Sequence, residues 1–154
     1  MGPINLGAIN KMLTLPEGID GFTPIGKSLP EMALGTYKGW LHKVVEQSKD
    51  FKLLKATRSH EKKNYHYISV SKAGAPFAFA LCNNIYPYMA FTPISKTIYM
   101  PKTFIDIPEL ETHLRSIERL TLLDAKTLNE RHSELQRYDN EDGIFGSVIF
   151  NDWN

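Results

Sequence analysis

Four short segments rich in aromatic and β-branched residues follow one another with little between them: FKLLKATR (51–58), YHYISVS (65–71), PFAFALC (76–82) and IYPYMAFT (85–92). Such residues suit a pleated, half-buried surface. The connections are SHEKKN, KAGA and Asn83-Asn84, all of hairpin length. A parallel crossover needs about a dozen residues or more, so links this short make neighbouring segments run antiparallel. The expected centre of the molecule is therefore a four-stranded antiparallel meander. TIYM (97–100) is expected to add a short fifth strand before Pro101.

Helical patterns flank the meander. Over 30–48, Ser28 with Glu31 forms a capping-box pattern, and Tyr37, Trp40, Leu41, Val44 and Val45 fall on one apolar stripe. After the strands, Asp106 with Glu109 and Thr121 with Asp124 repeat the capping signal, predicting two helices, the second reaching about Tyr138. The acidic turn DNEDG ends it, and GIFGSVIFNDW (143–153) reads as a last strand. Residues 1–30 carry Pro3, Pro16, Pro24 and Pro30 and hold no period, yet Ile4, Leu6, Ile9, Met12 and Phe22 are too apolar for a free tail. An irregular arm packed on the body is expected there. The whole, 1–154, reads as one α+β domain: an antiparallel four- to five-stranded meander with helices packed on one face.

Composition narrows the class. At 154 residues, 42% hydrophobic and 23% charged, the chain can bury an ordinary core, and its net charge of +1 sets up no global field for nucleic acid or an acidic membrane. One cysteine, no apolar run of bilayer length and no secretory pattern at the N-terminus lead to the expectation of a soluble, cytoplasmic protein.

If the hairpins are regular, the turns set the register and each strand's alternation sets its faces. His66, Ile68 and Val70 then share a face with Phe77, Phe79 and Leu81, together with Leu54, Ala56, Tyr86 and Tyr88. That apolar face should receive the helices. Leu53, Lys55, Thr57, Tyr65, Tyr67, Ser69, Ala78, Ala80, Cys82, Ile85 and Met89 would form the other, a shallow trough of small residues edged by tyrosines, filled by the N-terminal arm or by a partner. Charge is also unevenly placed: residues 52–63 hold Lys52, Lys55, Arg58, Lys62 and Lys63 against Glu61 alone, whereas residues 139–154 hold Asp139, Glu141, Asp142 and Asp152 with no Lys or Arg. Two such surfaces could orient a charged partner.

The chemical constellations are weak. Cys82 would need an adjacent base to act as a nucleophile, and in a regular register its neighbour is Tyr65; a strand cysteine among alanines ordinarily serves as a small buried hydrophobe. His60 and His66, six apart with Glu61 beside the first, match no compact ligand spacing, so no metal is expected. Glu109, Glu111, Glu118, Glu130 and Glu134, with Arg115, Arg119 and Arg131 beside them, are spaced as solvated helix faces are. No glycine loop suited to phosphate is present, and no cofactor is expected. Gly74-Ala75-Pro76-Phe77-Ala78-Phe79 resembles the aromatic RNP1 strand of RNA-recognition motifs. A meander without an intervening helix departs from that fold. Single-strand binding through the basic strip 52–63 is therefore the weakest reading.

The order helix, meander, helices resembles the small SMI1-like and toxin-immunity proteins. Leu29-Pro30 and Tyr37-Lys38-Gly39-Trp40-Leu41 are similar to the Leu-Pro…Tyr…Leu of their leading helix, with different spacing and without the following Asn-Gly-Gly. The resemblance is one of organisation. The expected role is a non-enzymatic module that binds another protein, as an inhibitor or immunity protein does. Its candidate contacts are Lys55, Arg58, His60, Lys62, Lys63, Tyr65, Tyr67, Cys82, Asp139, Glu141 and Asp142. The alternative is a small enzyme or ligand-binding protein using the Tyr65/Tyr67/Cys82 face.

Overall fold

The computed structural model describes residues 32–59, 63–84, 86–94, 103–130 and 146–150. The N-terminal arm, the Ser28–Glu31 capping pattern, TIYM, the helix expected beyond residue 130 and the acidic turn lie outside them.

Helix α1 (Leu34–Glu46) buries Tyr37, Leu41, Val44 and Val45, the stripe read from its period, and leaves Trp40 half-buried. It leads into β1 (Phe51–Thr57), β2 (Tyr65–Lys72), β3 (Ala75–Asn83) and β4 (Tyr88–Pro93). The rest is α2 (Pro108–Arg115), β5 (Thr121–Leu122), α3 (Ala125–Leu128) and α4 (Gly146–Ile149). The fold is α+β, with a five-stranded sheet in the order β1-β2-β3-β4-β5. The first three pairings are antiparallel; β5 lies parallel to β4 through Tyr88↔Thr121 and Met89↔Leu122.

Three local expectations are corrected. Thr121 does not cap a helix but sits in β5, and Asp124 alone takes the capping role, its Oδ1 accepting Thr127 N–H at 2.7 Å. Asp106 does not cap α2, which begins at Pro108, a residue with no N–H to satisfy. Asp106 Oδ1 instead accepts the N–H of Ala125 at 2.9 Å, tying the approach to α2 to the start of α3. Within the stretch read as a last strand, Gly146–Ile149 is a helical turn. A side chain at Gly146 would run into the Phe104 ring, so this close approach requires glycine.

The largest correction concerns the faces. The link between β2 and β3 is a two-residue turn with positive φ at Ala73 (52°) and Gly74 (84°), closed by Lys72↔Ala75. Positive φ at both central residues is the type I′ signature, whose twist matches that of paired strands. The ladder continues to Ser71↔Pro76 and then jumps to Val70↔Ala78, leaving Phe77 as a bulge. One extra residue reverses which side of β3 accompanies which side of β2. His66, Ile68 and Val70 therefore oppose Cys82, Ala80 and Ala78, while Tyr67 and Ser69 oppose Leu81 and Phe79. A second bulge sets Leu54 and Lys55 against Ser69 alone, between Leu53↔Val70 and Ala56↔Ile68. Lys55 N–H donates to Ser69 Oγ at 3.0 Å there. Leu53 consequently packs with the helices, and Leu54, expected inside, is 54% exposed.

Two buried clusters result. Ile68, Val70, Ala78, Ala80, Cys82, Met89 and Phe91 pack with Tyr37, Leu41, Val44 and Val45 of α1 and with Leu110 and Leu114 of α2. Tyr65, Phe79, Leu81 and Ala90 pack with Phe104, Leu123, Leu128, Ile149 and Phe150. Each fully buried large side chain stabilises the fold by about 1.5–3 kcal/mol.

Candidate binding surface

The trough foreseen beside Tyr65 and Tyr67 is filled. Tyr65 has no exposed surface, and Phe150 meets its ring edge-on at 6.2 Å; Tyr67 is half-buried with its ring edge-on to Phe79 at 5.6 Å. Among the described residues the cover comes from those after the meander. Tyr65 is therefore not offered to a base or a ligand as a stacking surface. Lys63, expected on a basic surface, is 8% exposed; its ammonium donates to the Tyr65 hydroxyl at 3.4 Å and sits 5.2 Å from the ring centre. Lys55 and Arg58 are exposed on β1 and at its end. His60, Lys62, Asp139, Glu141 and Asp142 lie outside the described residues.

Cys82 does not share a face with Tyr65 and Tyr67. It lies under α1 opposite His66, a pairing that on sequence alone would have suggested a thiol–imidazole dyad. The geometry argues against one. Nδ1 of His66 accepts the Ser59 N–H at 2.9 Å, so its proton is on Nε2, which donates to the Met32 carbonyl at 2.6 Å. Both nitrogens hold backbone in place. The thiol is fully buried, it donates to the Ala80 carbonyl at 3.9 Å, and burial pushes its pKa well up. A thiolate is disfavoured there. Among the described residues no group of three or more His, Cys, Asp or Glu could hold a metal ion, and no helix is long and apolar enough to cross a membrane.

The structure instead assembles half-exposed aromatic residues from separate parts of the chain, at the end of the sheet where β3 turns into β4. Its buried anchor is Tyr37 of α1. The Tyr37 hydroxyl lies 2.6 Å from the Asn83 carbonyl and 2.7 Å from that of Tyr86, sharing its one proton between them. Burial, then the nearby Cys82 thiol, raises the Tyr37 pKa, and the phenol stays a donor. Asn83 completes the lock: Oδ1 accepts the Tyr86 N–H at 2.9 Å and Nδ2 donates to the Ile149 carbonyl at 2.9 Å. Asn84 Nδ2 reaches Ser59 Oγ at 3.1 Å, while Asn84 Oδ1 is buried with no hydrogen-bond partner among the described residues.

Around this node stand two aromatic pairs. Trp40 meets Tyr37 edge-on at 5.6 Å and carries the exposed Arg119 guanidinium 5.7 Å over its ring. Tyr86 and Tyr88 stack at 5.5 Å with ring planes 22° apart, and both are half-buried. Burial raises the pKa of each, with Tyr86 adding to the effect on Tyr88, so both hydroxyls remain neutral donors. Sequence reading assigned Tyr86 and Tyr88 to the helix-covered core and left Arg119 on a solvated helix face. The available signal was Pro87 between the tyrosines: proline cannot donate to a ladder, so the strand starts after it and Tyr86 stands off the sheet.

No protein-family model matches this chain, and no curated protein or solved structure matches it either.

Proposed function

We propose that the protein is a non-enzymatic binding module, of inhibitor or immunity type, that occludes another protein with the rim formed by Trp40, Arg119, Tyr86 and Tyr88. The observation that carries this reading is the rim's composition together with its anchoring. Trp, Tyr and Arg supply most binding hot spots, because they offer large amphipathic area at low conformational cost. Here Trp40, Tyr86 and Tyr88 are half-buried and Arg119 is exposed; Tyr37 meets Trp40 with its ring and the Tyr86 carbonyl with its hydroxyl, and Asn83 fixes the Tyr86 backbone. A partner meeting the rim would have little left to order, which is the main cost of association after lost tumbling freedom. The locked turn makes the paired tyrosines a rigid ridge rather than mobile side chains.

The test is retrieval from the native cell on immobilised wild-type protein, set beside Trp40→Ala and Arg119→Ala. The reading expects one stoichiometric partner, with affinity falling by about 2 kcal/mol, roughly thirtyfold, for Trp40→Ala and less for Arg119→Ala. Thermal melts of both variants separate lost binding from lost folding. Retention of the partner at unchanged affinity by both folded variants would remove the rim from the function. A wild-type protein that retains nothing would remove the binding role.

A further inference from the structure

β1 ends the sheet, and among the described residues no strand pairs with its outer side. Along it run Lys52, Leu54, Lys55 and Arg58, all exposed, Leu54 being the exposed large hydrophobic of the described residues. Beside it, between the C-terminal turns of α1 and the first half of the strand, opens a groove of about 480 Å³. Val45, Phe51 and Leu53 give it an apolar floor; His42, Lys49 and Lys52 stand at its walls. Glu46, the one acid lining it, is 3.1 Å from His42 Nε2. An apolar slot, an open row of backbone groups and a line of cations thus lie on one edge.

We propose that this edge docks an extended acidic segment of a partner protein by strand addition. The segment would run beside Phe51–Leu53, place an aliphatic side chain in the groove, and set its carboxylates against Lys52, Lys55 and Arg58. Backbone pairing supplies affinity in this mode, and alternate side chains supply selectivity. The Leu54–Lys55 bulge limits the ladder to the first half of the strand, where the groove is. Lysines and bulges also serve to keep a bare edge from pairing at all. That role needs neither the groove nor an exposed leucine, and it predicts no selectivity for acidic peptides.

The proposal does not rest on the rim, whose tyrosines stand at the start of β4, whereas the groove lies beside β1 and the C-terminal turns of α1. Amide shift mapping on the labelled full chain separates them. The probe is an acetylated, amidated peptide alternating valine and glutamate, compared with its valine–lysine counterpart and with a version carrying a central proline. The acidic peptide alone should shift amides of β1 and the C-terminal turn of α1, leaving the Trp40 indole signal unmoved. Lys52→Glu with Lys55→Glu should weaken binding at least about tenfold, and Leu54→Glu, which loses an apolar contact and adds a like charge, should weaken it in a fold that the exposed position leaves intact. No shift at β1, equal binding of the lysine or proline peptide, or shifts confined to the rim would overturn the proposal. So would shifts of β1 amides with protein concentration alone, which mean a second copy pairs there, or β1 amides already bonded to another segment of the free chain.

Discussion

The two faces of the sheet are built from the same strands in opposite ways. Beneath α1 and α2, the middle of the central strand β3 presents Ala78, Ala80 and Cys82, with Phe77 at the bulge and Ile68, Val70, Met89 and Phe91 on its neighbours; on the other side β3 presents Phe79 and Leu81. A helix brings its own bulk, so small sheet residues let it approach and the core still fills. Among the described residues the opposite cover comes from Phe104, Leu123, Ala125, Leu128, Ile149 and Phe150, and there β3 contributes more of the volume itself. Rings pack on rings there: Tyr65 on Phe150 at 6.2 Å, Phe104 on Phe150 at 6.0 Å and Tyr67 on Phe79 at 5.6 Å. Interiors are close-packed everywhere, so side-chain volume on each face is the complement of what lies above it.

The sharpest way to break this comparison is a pair of neighbours. Leu81→Ala should cost about 2–5 kcal/mol, because a fully buried large side chain leaves a cavity among packed rings. Cys82→Ala, one position on, should cost only about 1 kcal/mol, and Cys82→Leu about 1–3 kcal/mol through overpacking against α1. Denaturant unfolding of the three variants gives the values. Equal costs for Leu81→Ala and Cys82→Ala would mean that the faces are not packed on different principles.

How far the chain could be read without its coordinates follows from the same two faces. The strands, their antiparallel order from β1 to β4 and the stripe of α1 were legible, because short links and strong periodicity leave few alternatives. The faces were not, because one bulge residue, Phe77, carries no mark that distinguishes it from a ladder residue, and a slip of one reverses a strand. Thr121 looked like a helix cap because the pattern Thr-x-x-Asp is local, whereas its pairing with Tyr88 is not. The candidate rim draws Trp40 from a helix, Tyr86 and Tyr88 from a turn and strand, and Arg119 from the approach to β5. Nothing in linear spacing joins them. Burial of Lys63 against Tyr65 was hidden for the same reason: a basic run looks solvated until a fold closes over it.

A smaller effect sharpens the helix-covered side. Tyr37→Phe removes the proton shared by the Asn83 and Tyr86 carbonyls and should cost about 1–3 kcal/mol. This face also holds two acids whose pKa burial raises, Cys82 from an ordinary 9.0 and Tyr37 from an ordinary 10.0. A raised pKa in the fold means that the unfolded chain loses its proton first. The corresponding stability is complete below the unfolded value and declines as pH climbs above it toward the folded value. Stability should therefore start to fall above about pH 9, by up to about 1.4 kcal/mol per pH unit for each group. Cys82→Ala should move that onset toward the phenol range, and adding Tyr37→Phe should flatten it further. Denaturant midpoints between neutral and strongly alkaline pH decide the matter; an unchanged slope in the double variant would place the alkaline sensitivity outside this core.

The smallest effect belongs to neither face. Ala73 holds φ at 52°, a conformation that costs an alanine about 1–2 kcal/mol and that asparagine tolerates better. Gly74 already occupies the second turn position at 84°, so Ala73→Asn restores the Asn-Gly pair that suits a type I′ turn. The variant should gain about 0.5–1 kcal/mol, roughly 2–4 °C in Tm for a chain of this size. The turn closes the β2–β3 ladder before the Phe77 bulge divides its residues between faces. Its contribution should therefore add independently to a lesion on either side. Placed on Leu81→Ala and on Cys82→Ala, the substitution should return the same increment. A gain in only one of these backgrounds would show that the turn is coupled to one face, and that the register there is set from the turn rather than by the packing on each side.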